Sequence, residues 1–411
     1  VNQSLTKQQI QAWRMSIYFI FALPGLSMST WVSRTPEIRH TLGATTAELG
    51  WIIFGMSVGA IIGLTCASHL IAKKGARFSM VTGVAISAIG LLTVSLGVSV
   101  LTQSSLVFVG LGIFGFGNGI CNVAMNVEGT AVEGATQKSL LTGFHAAFSV
   151  GTLVGAIIGS AAIKSNIPVP EHLLGISILT VAAMGSLSKY VPIGTGKEDH
   201  SQPNAVTMGF KERMAIWKEP RTLLISLIVL GMAFAEGSAN DWLPILMVDG
   251  YDVSPATGSF AFGLFVGAMT IGRMVGGLVL DRWGRVFVLR VSSLLAIAGL
   301  LIVIFGGNVP IAMIGIVMWG LGAAFGFPVG LSAAGDDPRG VAVRVSAVAS
   351  AGYFAFLVGP PFLGFLGEKI GLLQALFVVL VTVTIAGVLA QAAKPLGRDD
   401  LVRKQDSLCE K

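Results

Sequence analysis

Twelve runs of about 20 mostly apolar residues follow one another along the chain, centred on Ala22, Gly59, Ser87, Gly115, Gly151, Ile178, Leu230, Val266, Ala296, Val317, Phe356 and Leu380. About 20 helical residues cross a bilayer core about 30 Å thick. Backbone amides find no water there, so each crossing must satisfy its own hydrogen bonds as a helix. The pattern predicts an all-α integral membrane protein with twelve transmembrane helices. Charge content agrees: 12% of the 411 residues are charged, against about 25% in a soluble domain.

The basic residues set the orientation. With the N-terminus inside, Arg34, Arg39, Lys164 and Lys369 fall outside, Arg273 falls within a span, and the rest of the 27 Lys and Arg residues fall inside. This positive-inside bias predicts that both termini are cytoplasmic, which requires an even number of spans. "VNQSLTKQQIQAWRMS" leads into the first run, which has no small-residue cleavage site after it, so the run reads as a retained helix. The net charge of +6 is spread over short loops and forms no stripe for nucleic acid. Cys66 and Cys121 sit in apolar runs, as small buried hydrophobes do, and Cys409 lies in the tail. Their spacing suggests neither a disulfide framework nor a metal site. No G-x-x-x-x-G-K-[ST] loop and no nucleophile–base constellation is visible, so nucleotide hydrolysis and enzymatic chemistry are not expected, nor is a cofactor.

The polar stretch Pro192–Pro220 divides six spans from six. The expected organisation is an N-terminal bundle (1–191), a cytoplasmic loop (192–220), a C-terminal bundle (221–393) and a cytoplasmic tail (394–411). Within the loop, "FKERMAIW" has the pattern of a short surface helix in a solvated linker. The halves echo one another at a shift of roughly 210 residues. "GLGIFGFGNG" (110–119) resembles "GLGAAFGFPVG" (320–330), "FSVG" ending at Gly151 echoes "FLVGP" with Gly359, and "KKGAR" (73–77) matches "RWGR" (282–285). Internal repeats of this kind are a hallmark of transporter folds, so two pseudo-symmetric six-helix bundles are expected.

"GGLVLDRWGR" (276–285) resembles the signature between the second and third helices of each half in the major facilitator superfamily. The resemblance implies a conformational latch at the cytoplasmic helix ends, made here by Asp281, Arg282 and Arg285. The first copy, "SHLIAKKGAR", departs from it, with Ala72 in place of the acid and Ser68 in place of a usual Gly. "GNGICNVAMN" followed by "GFHAAFSVG" is similar to the fourth and fifth helices of the fucose–proton symporter group. "WVSRTP" and "AEGSANDW" are closer to uncharacterised bacterial inner-membrane members. The resemblance thus implies a monomer in a bacterial inner membrane. The symporters' coupling acids on helices one and four have no counterpart: no acid lies between Trp13 and Thr35, and Asn122 stands at the helix-four position.

The candidate site residues are the polar groups within spans. Asn118, Asn122 and Asn126 recur every four residues and share one helix face. Their amides both donate and accept, which suits a polyhydroxyl solute; interhelical hydrogen bonding is the plainer alternative. Glu236 and Asn240 share a face, with Asp241 turned about 100° further. An acid in mid-span costs about 2.5–3.5 kcal/mol on insertion scales, so it calls for a cavity or a partner. Substrate contact is assigned to Asn122, Asn126, His145, Glu236 and Asn240, and proton coupling to Glu236, Asp241 and Glu128. Arg273 is the candidate ion-pair partner of Glu236. Glu133 reads as a loop acid pairing with Lys or Arg, and Arg34 as a snorkelling rim residue. Trp31, Trp319, Phe325 and Tyr353 read as packing aromatics that could also stack on a solute ring. The functional expectation is proton-coupled secondary transport of a small polar solute, a sugar or related compound. Export of an amphipathic compound and a non-transporting membrane receptor or scaffold are the alternatives.

Overall fold

The computed structural model describes residues 5–136, 140–197, 215–336 and 340–396. Among them are twelve helices long and apolar enough to cross a membrane, and each contains one of the twelve expected centres. The first six are α1 (Lys7–Leu42), α2 (Thr46–Lys74), α3 (Ala76–Ser99), α4 (Ser104–Thr136), α5 (Leu141–Lys164) and α6 (Val169–Leu187). The second six are α7 (Pro220–Tyr251), α8 and α9 (the two limbs of Pro255–Phe305), α10 (Val309–Ala334), α11 (Val341–Ile370) and α12 (Leu372–Leu389). Of the central "FKERMAIW" stretch, residues 215–217 are helical and the rest lies outside the described residues, as does most of the tail.

Local chemistry sets the helix ends. Thr6 and Thr45 each close a reciprocal capping box, with Gln9 and Glu48. Gly43 ends α1 in the left-handed conformation that suits a residue without a Cβ. The sequence repeat is visible in the backbone. Positive φ recurs at Gly43 and Asp252, Gly75 and Gly284, Thr102 and Gly307, and Asn166 and Gly371, four pairs in the same order in both halves. Gly75 (φ 88°, ψ 161°) separates α2 from α3, and Gly284 (φ 73°, ψ 166°) separates α8 from α9. The matching "KKGAR" and "RWGR" turns therefore share one backbone geometry.

Packing in the first half is backbone against backbone. A Cβ on Gly59 of α2 would lie 1.9 Å from the Gly112 carbonyl oxygen of α4. One on Gly151 of α5 would lie 2.1 Å from the Ala22 carbonyl of α1, with Gly155 and Gly159 continuing the stripe. With little hydrophobic drive between helices in lipid, such close approach supplies the dispersion contact that holds them together. Between α9 and α10, Gly299 meets the Gly315 carbonyl in the way that Gly90 meets that of Gly110 between α3 and α4. Trp31 and Trp319 are fully buried packing residues, and Cys121 is buried. Cys66, expected to be buried, is exposed on α2.

Contacts divide the chain into two compact units. One comprises Val1–Gln202, Ser238–Thr270 and Pro360–Ala375; the other comprises Pro203–Gly237, Ile271–Gly359 and Leu376–Lys411. The divisions fall inside helices α7, α8, α11 and α12. The first unit thus holds the six N-terminal helices together with one end of α7, α8, α11 and α12. Inside it, Arg39 of α1 makes a two-pronged ion pair with Asp249 of α7 (2.5 and 2.9 Å), and the Thr46 amide donates to Glu368 of α11 (2.8 Å). The Ser160 hydroxyl of α5 donates to the Ala256 carbonyl at 3.0 Å.

Candidate functional site

In the first unit, the four-residue spacing on α4 stacks Asn122 below Asn126. Asn126 Nδ2 donates to the Asn122 carbonyl (2.8 Å) and approaches its Oδ1 (3.4 Å). Asn126 Oδ1 lies 3.1 Å from His145 Nε2 on α5. An amide oxygen only accepts, so in this arrangement Nε2 carries the proton. The edge of Phe21, from α1, meets the His145 ring at 5.4 Å between centroids. Asn122 and Asn126 are half-buried and His145 is exposed. Three of the five residues assigned to substrate contact therefore form one group, able to donate and accept toward hydroxyls.

The second unit holds the mid-span charge. Arg273 Nη2 donates to both carboxylate oxygens of Glu236, at 2.9 Å each, and its Nε donates to the Ala324 carbonyl at 3.3 Å. The side chains remain 14% (Glu236) and 26% (Arg273) exposed, so the pair is not sealed. Close packing sets α8 against α10 here: a Cβ on Gly272 would lie 2.9 Å from that of Ala324. Asn240 is half-buried one turn along α7. Asp241 is buried and makes no hydrogen bond or ion pair among the described residues. Asn240 and Asp241 belong to the first unit and Glu236 to the second, so the shared α7 face is split between units.

Glu128 is fully buried toward the C-terminal end of α4. It accepts from Trp13 Nε1 at 3.2 Å and has Thr195 and Arg77 as neighbours. Among the described residues Glu133 pairs with no cation. Its Oε1 accepts from the Leu140 and Leu141 amides (2.6 and 2.8 Å), satisfying free donors at the start of α5. Arg34 does not snorkel either. It is 1% exposed and donates to Glu37, to His172 Nδ1 and to the Ile167 carbonyl.

Of the three latch residues, Arg285 alone forms an ion pair among the described residues. It binds Asp336 at 2.7 Å and the Ser332 hydroxyl at 2.9 Å. Asp281 and Arg282 are exposed, and Arg282 lies over the Trp283 ring. Asp336 also accepts from Arg221, which in turn holds the Ala392 and Lys394 carbonyls. Arg344 forks onto Glu219 nearby (2.8 and 2.7 Å). Sequence reasoning missed Asp336, Arg221 and His172. Asp336 stands in "AAGDDPRG", which reads as a solvated turn, and nothing in the linear pattern joins His172 to Arg34. Among the described residues no group of three His, Cys, Asp or Glu side chains is placed to hold a metal ion.

A family model described as Major Facilitator Superfamily matches residues 15–353 and, in a second placement, 225–405. An uncharacterized MFS-type transporter of Yersinia pestis is 28% identical over 378 residues, covering 91% of this chain and 94% of that protein. Among solved structures, a variant of the nucleoside transporter NupG superposes with a TM-score of 0.73 at 16% identity, covering 94% of this chain and 98% of that one. FucP in the outward conformation gives 0.66 at 16% identity, covering 94% and 100%. At such identities these structures establish the fold alone.

Proposed function

Because this chain belongs to the Major Facilitator Superfamily, and is thus a multi-pass membrane transporter rather than an enzyme, we propose that it moves a small polyhydroxyl solute by proton-coupled alternating access. The Glu236–Arg273 pair carries the reading. An ion pair in mid-span, held through one guanidinium nitrogen and left partly uncovered, is a group that a solute or a proton can compete for. Protonating Glu236 removes the charge that holds Arg273 Nη2, and a solute hydroxyl or carboxylate then takes its place. On the first unit, the Asn122–Asn126–His145 group supplies donors and acceptors matched to hydroxyls. Two structural neighbours named for a nucleoside and for fucose:proton symport support a solute of this class. Asn240 and Asp241 extend the polar face of α7. Asp241 serves as the second titrating acid, and Glu128 acts only if the Trp13 contact opens.

The same reading puts both termini in the cytoplasm of a bacterium and the chain in its inner membrane as a monomer, following the positive-inside bias. It makes Arg285 the working member of a cytoplasmic latch, with Asp281 and Arg282 engaging in another conformation. Purified protein in liposomes under an imposed pH gradient, offered labelled sugars and nucleosides, tests the function. Uptake should follow the inward proton gradient. Glu236→Gln should lose gradient-driven accumulation while retaining exchange of solute down its own gradient. Unchanged accumulation in Glu236→Gln would falsify the coupling assignment.

A further inference from the structure

A groove of about 370 Å³ lies where the last turns of α5 meet the first turns of α6. Ile158, Ala161, Ala162, Gly175 and Ile176 give it apolar walls, and Ser165, Glu171 and His172 give it polar groups. Both helices end here, and membrane-crossing helices end near the level where lipid headgroups meet acyl chains. His172 is 6% exposed. Its Nδ1 accepts from Arg34 Nε at 3.1 Å. A guanidinium N–H only donates, so Nδ1 carries no proton and a neutral ring must carry it on Nε2. That Nε2 has no hydrogen-bond partner. A buried donor without an acceptor costs about 1–3 kcal/mol. Gly175 is a second oddity. Glycine costs a helix interior about 1 kcal/mol relative to alanine, yet a Cβ at Gly175 would meet nothing within 4 Å. Helix packing therefore does not require this glycine, and the space beside it is open.

We propose that this groove binds a phospholipid with a primary-amine headgroup. An acyl chain lies along Ile158, Ala161, Gly175 and Ile176 and tilts the His172 ring enough to uncover its buried Nε2, whose proton a phosphate or ester oxygen then accepts. The ammonium pairs with Glu171, which is exposed in the first turn of α6. The apolar walls select a lipid over free phosphate, and the Glu171 carboxylate selects an amine headgroup over an anionic one. Through the Nδ1 contact, the lipid also fixes the ring that holds Arg34.

Native mass spectrometry of the full chain in mild detergent tests the site, with phosphatidylethanolamine, phosphatidylcholine and phosphatidylglycerol of identical acyl chains as probes. Phosphatidylethanolamine should give the most persistent adduct and the largest rise in unfolding temperature. Gly175→Leu fills open space, so it should fold as the wild type does and bind that lipid about tenfold more weakly, a loss of about 1.4 kcal/mol. Glu171→Gln should bring the ethanolamine and choline lipids level while both still bind, and His172→Leu should weaken all three. Equal binding of the three lipids by the wild type would overturn the proposal. So would an undiminished adduct in Gly175→Leu, or protection by inorganic phosphate alone.

Discussion

Glu236 and Arg273 show what a residue-level reading of a membrane sequence yields. Each is costly alone in a span, and the structure pairs them at 2.9 Å. Removing one partner strands the other. Arg273→Ala should therefore destabilise the protein by about 2 kcal/mol, below the 3–5 kcal/mol typical of sealed pairs because both ends keep some exposure. The double variant Glu236→Ala/Arg273→Ala should recover most of that loss, as measured by thermal unfolding in detergent. Additive losses would mean that the two side chains do not depend on one another. The pair was legible because charges in a span are few and need partners. The Asn126–His145 contact was legible only in part: helical spacing put the asparagines on one face, but no spacing rule says that α5 lies against it. His172 and Asp336 were not legible, since their roles come from partners 138 (His172 with Arg34) and 115 (Asp336 with Arg221) residues away.

At the scale of the helix, glycine has two separable uses. Gly59 is needed for approach: its missing Cβ would stand 1.9 Å from a backbone oxygen that cannot rotate away. Gly284 is needed for conformation: its φ of 73° and ψ of 166° are essentially closed to other residues, while a Cβ there meets nothing within 4 Å. Gly59→Ala should push α2 from α4 and lower the yield of folded protein sharply. Gly284→Ala should cost about 1–3 kcal/mol of backbone strain and leave the packing intact. Thermal unfolding distinguishes the two, and comparable effects at both positions would refute the division. The helices themselves were readable from hydrophobic length, because lipid leaves the backbone no alternative. Their neighbours were not, because in lipid all apolar faces are equivalent and small-residue fit decides the pairing.

Across the whole molecule the repeat reaches further than the sequence signature implied. Each half centres a carboxylate at one helix end, Glu128 beside Trp13 and Arg77, and Asp336 between Arg221 and Arg285. In each, an arginine also grips the chain just beyond the sixth helix of that half, Arg77 at the Val191 carbonyl and Arg221 at those of Ala392 and Lys394. The first half thus substitutes a tryptophan N–H for an arginine, which its missing turn acid gave no hint of. Within the first unit, Arg39 and Asp249 join α1 to α7. Charge reversal at either position should raise the reactivity of a cysteine placed nearby with a membrane-impermeant reagent, and the swap Arg39→Asp/Asp249→Arg should restore protection. Failure of the swap to restore it would show that this pair does not hold the two helices together. Finally, Arg273 reaches from α8 to the Glu236 carboxylate of α7 and to the Ala324 carbonyl of α10, all within the second unit. One guanidinium is thus a rivet through three helices, and any proton or guest that loosens it at Glu236 leaves α7 free of the other two at that point.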